Sequence, residues 1–216
     1  MIYPYNPLPE DSCRDFEHKN RVIKGSAFGP KDDILEEKFF NCSFIDCEFY
    51  MDQMISTVFL NCHFQGCSFH TYKRPDDEGK LPFSNIIFTT CSFRECGFTQ
   101  LYACYGVMTN CIFDKTEFRD VIMAGFLLSD LHLKNCQINE LSFRSATIPL
   151  MMLKDCTSSG LDLSHAKVCS LTITSGRHNR VNLQDTEIIS LKTEKVEGDF
   201  CGTICENPSI PDFNFQ

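Results

Sequence analysis

The sequence predicts an all-β rod of stacked short coils, and three observations predict it. Apolar residues recur at every fifth position from Phe39 to Ile188. A second small or apolar residue, very often cysteine, stands two places before each of them. A period of five fits neither the 3.6 of a helix nor the 2 of a flat strand. Short repeats at a fixed period mark a solenoid, in which each unit buries its inner side only against its neighbours.

The first run reads Phe39, Phe44, Phe49, Met54, Phe59, Phe64, Phe69. The second begins at Phe88, Phe93, Phe98 and continues through Phe113, Phe118, Leu133 and Leu153 to Ile188. Nine of the fourteen cysteines fall on the minor inward position: Cys42, Cys47, Cys62, Cys67, Cys91, Cys96, Cys111, Cys136 and Cys156. There a thiol serves as a small hydrophobe. A reduced state is therefore expected, rather than the disulfide scaffold that fourteen cysteines would suggest in a short secreted chain. Cys201 and Cys205 leave pairing or metal binding open.

The chain has 216 residues, twenty phenylalanines and no tryptophan, enough for one sizeable core filled by one ring shape. No apolar stretch approaches the roughly 18 residues needed to cross a bilayer. No basic, apolar signal pattern opens it, so a cytoplasmic location is expected. The expected organisation is an N-terminal arm or cap (1–37), a repeat rod (38–191) and an irregular C-terminal tail (192–216).

Segments such as Cys42-Ser43-Phe44-Ile45-Asp46, Cys111-Ile112-Phe113-Asp114-Lys115 and Leu161-Asp162-Leu163-Ser164-His165 resemble the pentapeptide-repeat family, whose units place a small residue first and Leu or Phe third. The resemblance implies a right-handed quadrilateral β-helix with one unit per wall, four per turn and about seven to eight coils. Residues twenty apart then stack. The two runs differ in phase, which an extruded loop at about 70–82 repairs, with Leu81 and Phe83 re-entering as the fourth wall of the second coil. The thiols then align without adjustment: Cys42, Cys62, Cys91 and Cys111 on one wall, and Cys47, Cys67, Cys96, Cys136 and Cys156 on the next. Phe44, Phe64, Phe93 and Phe113 form one ring stack, and Phe49, Phe69, Phe98 and Phe118 another.

The same register puts Phe40, Val58, Leu60, Ile87, Val107 and Leu127 outward on one face. Such a stripe needs covering, either by the N-terminal arm, the plainer reading, or by a partner or second copy in a homodimer. Ser158 and His178 stand where large apolar residues belong, and a bulge or local bend is expected there.

No catalytic constellation, phosphate loop or metal-ligand spacing is evident, so the expected class is non-catalytic, with no cofactor and no metal. Within the loop, Tyr72, Lys73, Arg74, Asp76, Asp77 and Glu78 mix charge with one aromatic, a composition suited to docking on another protein. A weaker likeness points to the quinolone-resistance (Qnr) group within the family. It rests on Phe39-Phe40-Asn41-Cys42-Ser43-Phe44, and on Gly66-Cys67-Ser68-Phe69 leading into the loop. It implies a DNA-mimicking protein that binds DNA gyrase or topoisomerase IV, with Glu48, Glu95, Glu117 and Asp120 as phosphate surrogates. Neither direct nucleic-acid contact nor membrane binding is implied.

The formal net charge of −9 suits that role. It is spread evenly, however, at −3 in each of 1–37, 38–191 and 192–216, and Arg94, Lys115, Arg119, Lys134 and Lys154 interrupt the acids of the rod. The second, larger loop usual in that group and its apolar C-terminal helix are not evident. The alternative is a secreted bacterial effector or another interaction scaffold, for which Met1 to Asp15 would serve as leader.

Overall fold

A computed structural model describes residues 18–29, 36–54, 56–71 and 85–205. All strand pairs are parallel, and their register is the sequence period made visible. Lys38 pairs Val58, Val107 pairs Leu127, and Thr147 pairs Lys167, each twenty residues on. Four five-residue units therefore close one turn. Coils starting at Lys38, Val58, Ile87, Val107, Leu127, Thr147 and Lys167 stack into a four-sided rod.

From Lys38 onward the exception to the twenty-residue step is Val58 to Ile87, where nine extra residues enter the second coil. Ser92 still pairs both His63 and Ile112, so the walls stay in phase across the insertion, as the thiol alignment requires. Leu81 and Phe83 lie outside the described residues.

Each corner has a local cause. Asn41, Asp46, Asn61, Asn110, Asp120 and Asn135 all adopt φ between 52° and 54°. This left-handed backbone turns the chain from one wall to the next. It costs an ordinary L-residue on the order of 1 kcal/mol and is easiest for Asn, Asp and Gly. The corner amides are not wasted: Asn41 N–H donates to the Leu60 carbonyl at 3.0 Å, and Asp46 N–H to that of Gln65 at 2.9 Å. Side chains repeat the ladder, with Asn61 donating to Asn41 at 3.0 Å and Asn41 to Asn20 at 2.6 Å.

Inside, the lumen is filled by rings. Phe44, Phe64, Phe93 and Phe113 stack with centroids 4.9, 4.8 and 4.5 Å apart. Phe49, Phe69, Phe98 and Phe118 follow at 4.8, 4.5 and 5.2 Å, and Phe39, Phe59 and Phe88 form a third column at 5.0 Å steps. Neighbouring columns meet edge to face, as Phe64 does with Phe69. Offset and edge contacts suit the ring quadrupole, so each column supports the next.

The thiols do more than fill space. Cys62 donates to the carbonyls of Phe39 (3.6 Å) and Leu60 (3.5 Å), tying two coils together, and Cys96 does the same to Phe64 and Arg94. Thr116 occupies the same column between Cys96 and Cys136, and its hydroxyl reaches Phe93 O at 3.3 Å and Asp114 O at 3.4 Å. A small side chain with one donor is what the position selects.

The nine ladder cysteines are free thiols, and the side chains of Cys201 and Cys205 lie outside the described residues. Burial raises the Cys42 and Cys47 thiols above the usual range and pushes Cys111 up to about 12, while hydrogen bonds from Cys91, Cys96 and Cys136 lower Cys62, Cys67 (to about 7) and Cys156. What protects the ladder as a whole is that all nine thiols are shut away from solvent. Under native conditions a thiol reagent is therefore expected to label exposed Cys169 and to spare the nine ladder thiols until the rod unfolds. Mass spectrometry of labelled peptides checks it.

Both ends depart from the expected boundaries. Strands His18–Lys19, Val22–Lys24 and Ala27–Phe28 already pair with Phe39–Phe40, Ser43–Ile45 and Glu48–Phe49. A partial coil thus precedes residue 38, and Phe28 stacks beneath Phe49 at 4.8 Å. Its register is twenty-one, not twenty, which breaks the period in the sequence and hides this coil. Residues 18–29 extend the rod and do not lie across its side. At the other end, the strand Lys167–Cys205 runs past 192. There Leu191 and Val196 keep the minor inward position and pack on the core, while Thr193 and Gly198 take the central positions and erase the signal.

Candidate interaction surface

The register assigns every outward side chain to a wall. The first wall carries Phe40, Val58, Leu60, Ile87, Val107 and Leu127, brought together as the sequence predicts. Phe40 pairs Leu60, Ile87 pairs both Val58 and Val107, and Val107 pairs Leu127. Thr89, Thr109 and Ser129 complete the surface, so no charged side chain points outward on this wall from Val58 to Ser129. Leu127 is 45% exposed. Lys19 and Lys38 stand at the foot of the wall, and Lys167 and Glu187 lie beyond its upper end, bridged at 3.9 Å.

The second wall mixes signs. Arg94, Asp114, Lys134 and Lys154 form one outward column, and Glu95 sits at the corner with φ 54°. The third wall holds Glu48 and Glu117 in one column: Glu48 pairs Ser68, which pairs Gly97, which pairs Glu117. Asp120 marks its far corner with φ 54°. Three of the four predicted phosphate surrogates therefore share a wall and the fourth borders it.

Each of these carboxylates is already engaged. Glu48 faces His70 at 3.3 Å. Glu95 takes Lys115 at 3.5 Å and Arg94 at 3.8 Å. Glu117 is bridged by Arg119 at 2.5 Å. Asp120 accepts the Tyr102 hydroxyl. Burial lowers the His70 imidazole, and Glu48 and Asp52 oppose that shift. Sequence separation hid three of these pairings, His70 with Glu48, Lys115 with Glu95 and Tyr102 with Asp120, which meet only when coils stack.

Tyr72, Lys73, Arg74, Asp76, Asp77 and Glu78 lie outside the described residues. The base of their loop is described. Thr71 N–H donates to the Gln100 carbonyl at 3.3 Å, and its hydroxyl accepts Tyr102 N–H at 2.7 Å. The chain returns through Ile86, fully buried, to Ile87 on the first wall.

Ser158 and His178 are register partners inside the lumen. Ser158 Oγ lies 2.9 Å from His178 Nδ1, while His178 Nε2 is buried with no hydrogen-bond partner. Gly176 makes the room, since a Cβ there would stand 1.9 Å from the Cys156 carbonyl and 3.2 Å from Nε2. Burial holds this imidazole below the ordinary histidine range.

Among the described residues, no group of three or more His, Cys, Asp or Glu could hold a metal ion, and no helix is long and apolar enough to cross a membrane. Two shallow surface grooves are present, one between Lys115 and Asn135, the other between Asp120 and Asp162. The second has a clear origin. Gly160 leaves space into which Glu140 bends to reach Arg180 at 2.6 Å, two coils away.

No protein-family model matches the chain, and no curated protein sequence matches it. Solved structures with similarity include full-length QnrB1, a plasmid-mediated fluoroquinolone resistance protein, at 15% identity and a TM-score of 0.33, over 84% of this chain and 93% of that one. HetL, a pentapeptide repeat protein involved in heterocyst differentiation regulation from the cyanobacterium Nostoc sp. strain PCC 7120, is similar at 10% identity and a TM-score of 0.36, over 87% and 91%. Rfr23, a pentapeptide repeat protein from the cyanobacterium Cyanothece 51142, shows 12% identity and a TM-score of 0.28, over 77% and 91%. At these values the fold assignment rests on the chain itself. Its five-residue unit, four units per coil and twenty-residue parallel register give it the fold of a four-sided parallel β-helix.

Proposed function

We propose that this chain is a non-catalytic protein-binding rod that meets its partner through the first wall. One observation carries the reading: a continuous outward stripe of Val58, Leu60, Ile87, Val107 and Leu127, uncharged across four coils, where the second and third walls of the same coils carry charge. The lumen is plugged by rings in its lower coils and by Leu, Ile and Val side chains such as Leu133, Leu153 and Ile173 above, so function falls to the outer walls. A stiff repeat scaffold presents such a stripe at little entropic cost.

Capture from the source cell with the purified chain tests it. Val107→Asp, an outward change that spares the core, should abolish retention of the partner, and Lys154→Glu on the second wall should not. A bound set indifferent to Val107→Asp would refute the assignment of this wall.

The finer reading makes the partner a type II topoisomerase, met through DNA-like charge. The alignment of Glu48, Glu117 and Asp120 along the third wall supports it. The internal partners of those carboxylates count against it, because a surrogate phosphate must be open to a basic groove. A gyrase supercoiling assay decides. Inhibition, or protection from ciprofloxacin, is expected if the reading holds, and Glu117→Lys should weaken either effect. An unchanged reaction at micromolar protein removes it.

A further inference from the structure

The first wall is narrow. Its strands are three residues wide, as Val58–Leu60 and Ile87–Thr89 are, or about 10 Å. From Val58 to Thr147 the outward column climbs four coil steps through Ile87, Val107 and Leu127, about 19 Å at the sheet spacing. A strip of that size is far short of the roughly 800 Å² per partner that two globular faces bury in a stable interface. Two rods meeting wall to wall would therefore hold weakly. Strand addition is closed as well, because the strands of this wall are paired below and above, as Ile87 is to Val58 and Val107. The strip does match one α-helix, which is about 10–12 Å across with its side chains and covers about 19 Å in about thirteen residues.

So small a contact needs an anchor, since a few buried aromatic residues carry most of the energy of an interface. Tyr105 stands at the corner that leads into this wall, two residues before Val107, and is 62% exposed. Its backbone is left-handed, with φ 58°, a conformation that a bulky side chain rarely adopts. In other coils the same corner is held by Asn85, Gly125 and Asp185, with φ 44°, 66° and 53°, residue types that turn there most easily. The tyrosine ring is carried up to Gly125, where an added Cβ would stand 3.4 Å from its Cε1. It thus stands at the margin of the row that holds Leu127, itself 45% exposed. Backbone strain kept in order to hold an exposed ring beside an apolar stripe points to a binding contact.

We infer, building on the proposed use of this wall, that the partner docks as a single amphipathic helix laid along Val58, Ile87, Val107 and Leu127, with Tyr105 as its anchor.

The test replaces Tyr105 of the full chain with the photo-crosslinker p-benzoyl-phenylalanine in the source cell. Irradiation should join it to another protein, at a segment whose apolar residues recur at i, i+3, i+4 and i+7. A synthetic peptide of that segment should gain helix by circular dichroism on binding the rod. Its affinity by fluorescence anisotropy should fall about tenfold or more with Tyr105→Asn, the loss expected of an interface anchor. Val107→Asp should weaken it likewise, and Lys154→Glu should leave it unchanged. Tyr105→Asn should also leave the thermal midpoint of the rod unchanged or higher, because asparagine turns this corner more easily. A crosslinked dimer would assign the wall to a second copy and overturn the inference. So would the absence of any crosslink, a peptide that fails to bind or binds without becoming helical, binding indifferent to Tyr105→Asn, or a midpoint lowered by that change. Failure of the proposed function would look different, as partner capture insensitive to Val107→Asp.

Discussion

Phe93→Ala is expected to destabilise the rod by about 3–5 kcal/mol, the range for emptying a well-packed aromatic site. Phe93 is 1% exposed and lies at the middle of its column, 4.8 Å from Phe64 and 4.5 Å from Phe113. Its edge contacts to Phe88 at 5.3 Å and Phe98 at 5.6 Å join two further columns. Collapse around the cavity is resisted from every side, because all four neighbours are themselves held in register by strand pairs. A solenoid also lacks distant packing to share the loss, since each coil touches only the coils beside it. Guanidinium unfolding followed by circular dichroism measures the effect. A loss below about 1 kcal/mol would mean that the ring column is not what holds the coils together.

Acid is expected to loosen the C-terminal coils, and His178 is the group responsible. Its imidazole is fully buried, bonded to Ser158 on one nitrogen and unpartnered on the other. Burial lowers its affinity for a proton in the folded state. The unfolded chain titrates near the ordinary value of about 6.5 and so binds the proton first. Stability contributed by neutral His178 is present above that pH and declines as pH falls from about 6.5 toward the lower folded value.

On the same inward column, Ser158 one coil below, Ile138 two coils below and Gly198 at the next position above bring no charge to offset an imidazolium. Cys156, on the minor position one coil below, keeps its thiol on the Leu133 and Lys154 carbonyls. Unfolding midpoints between pH 7.5 and pH 5, with His178→Leu as control, test the point. The wild type should lose stability faster than the variant over that interval. Parallel curves would show that some other group governs the acid limb.

The inward face of this protein was legible because its signal is local. Phe44, Phe64, Phe93 and Phe113 could be aligned from spacing alone, and the nine thiols even located the insertion after His70. The apolar stripe of the first wall followed from the same phase, since a residue next to an inward one must point outward. What stayed hidden had no period to betray it. The coil at His18–Phe28 runs at a register of twenty-one, and the coils beyond Lys192 keep only the minor inward residue. Thr116 stands in a cysteine column because it offers the same donor, a rule that appears only with the carbonyls in view.

The candidate site divides in the same way. The sequence placed Glu48, Glu95, Glu117 and Asp120 on the outside of the rod but could not show their partners. Glu95 and Lys115 meet only because one coil lifts twenty residues of chain by a single strand spacing, and Tyr102 reaches Asp120 from the neighbouring wall. By itself the sequence determined that this chain coils in fives around a dry, ring-filled lumen, because inward and outward are settled within each unit. Only the tertiary structure decided which charges remain open, which walls stay bare of charge, and where the rod begins, because those depend on contacts between coils that sequence spacing does not carry.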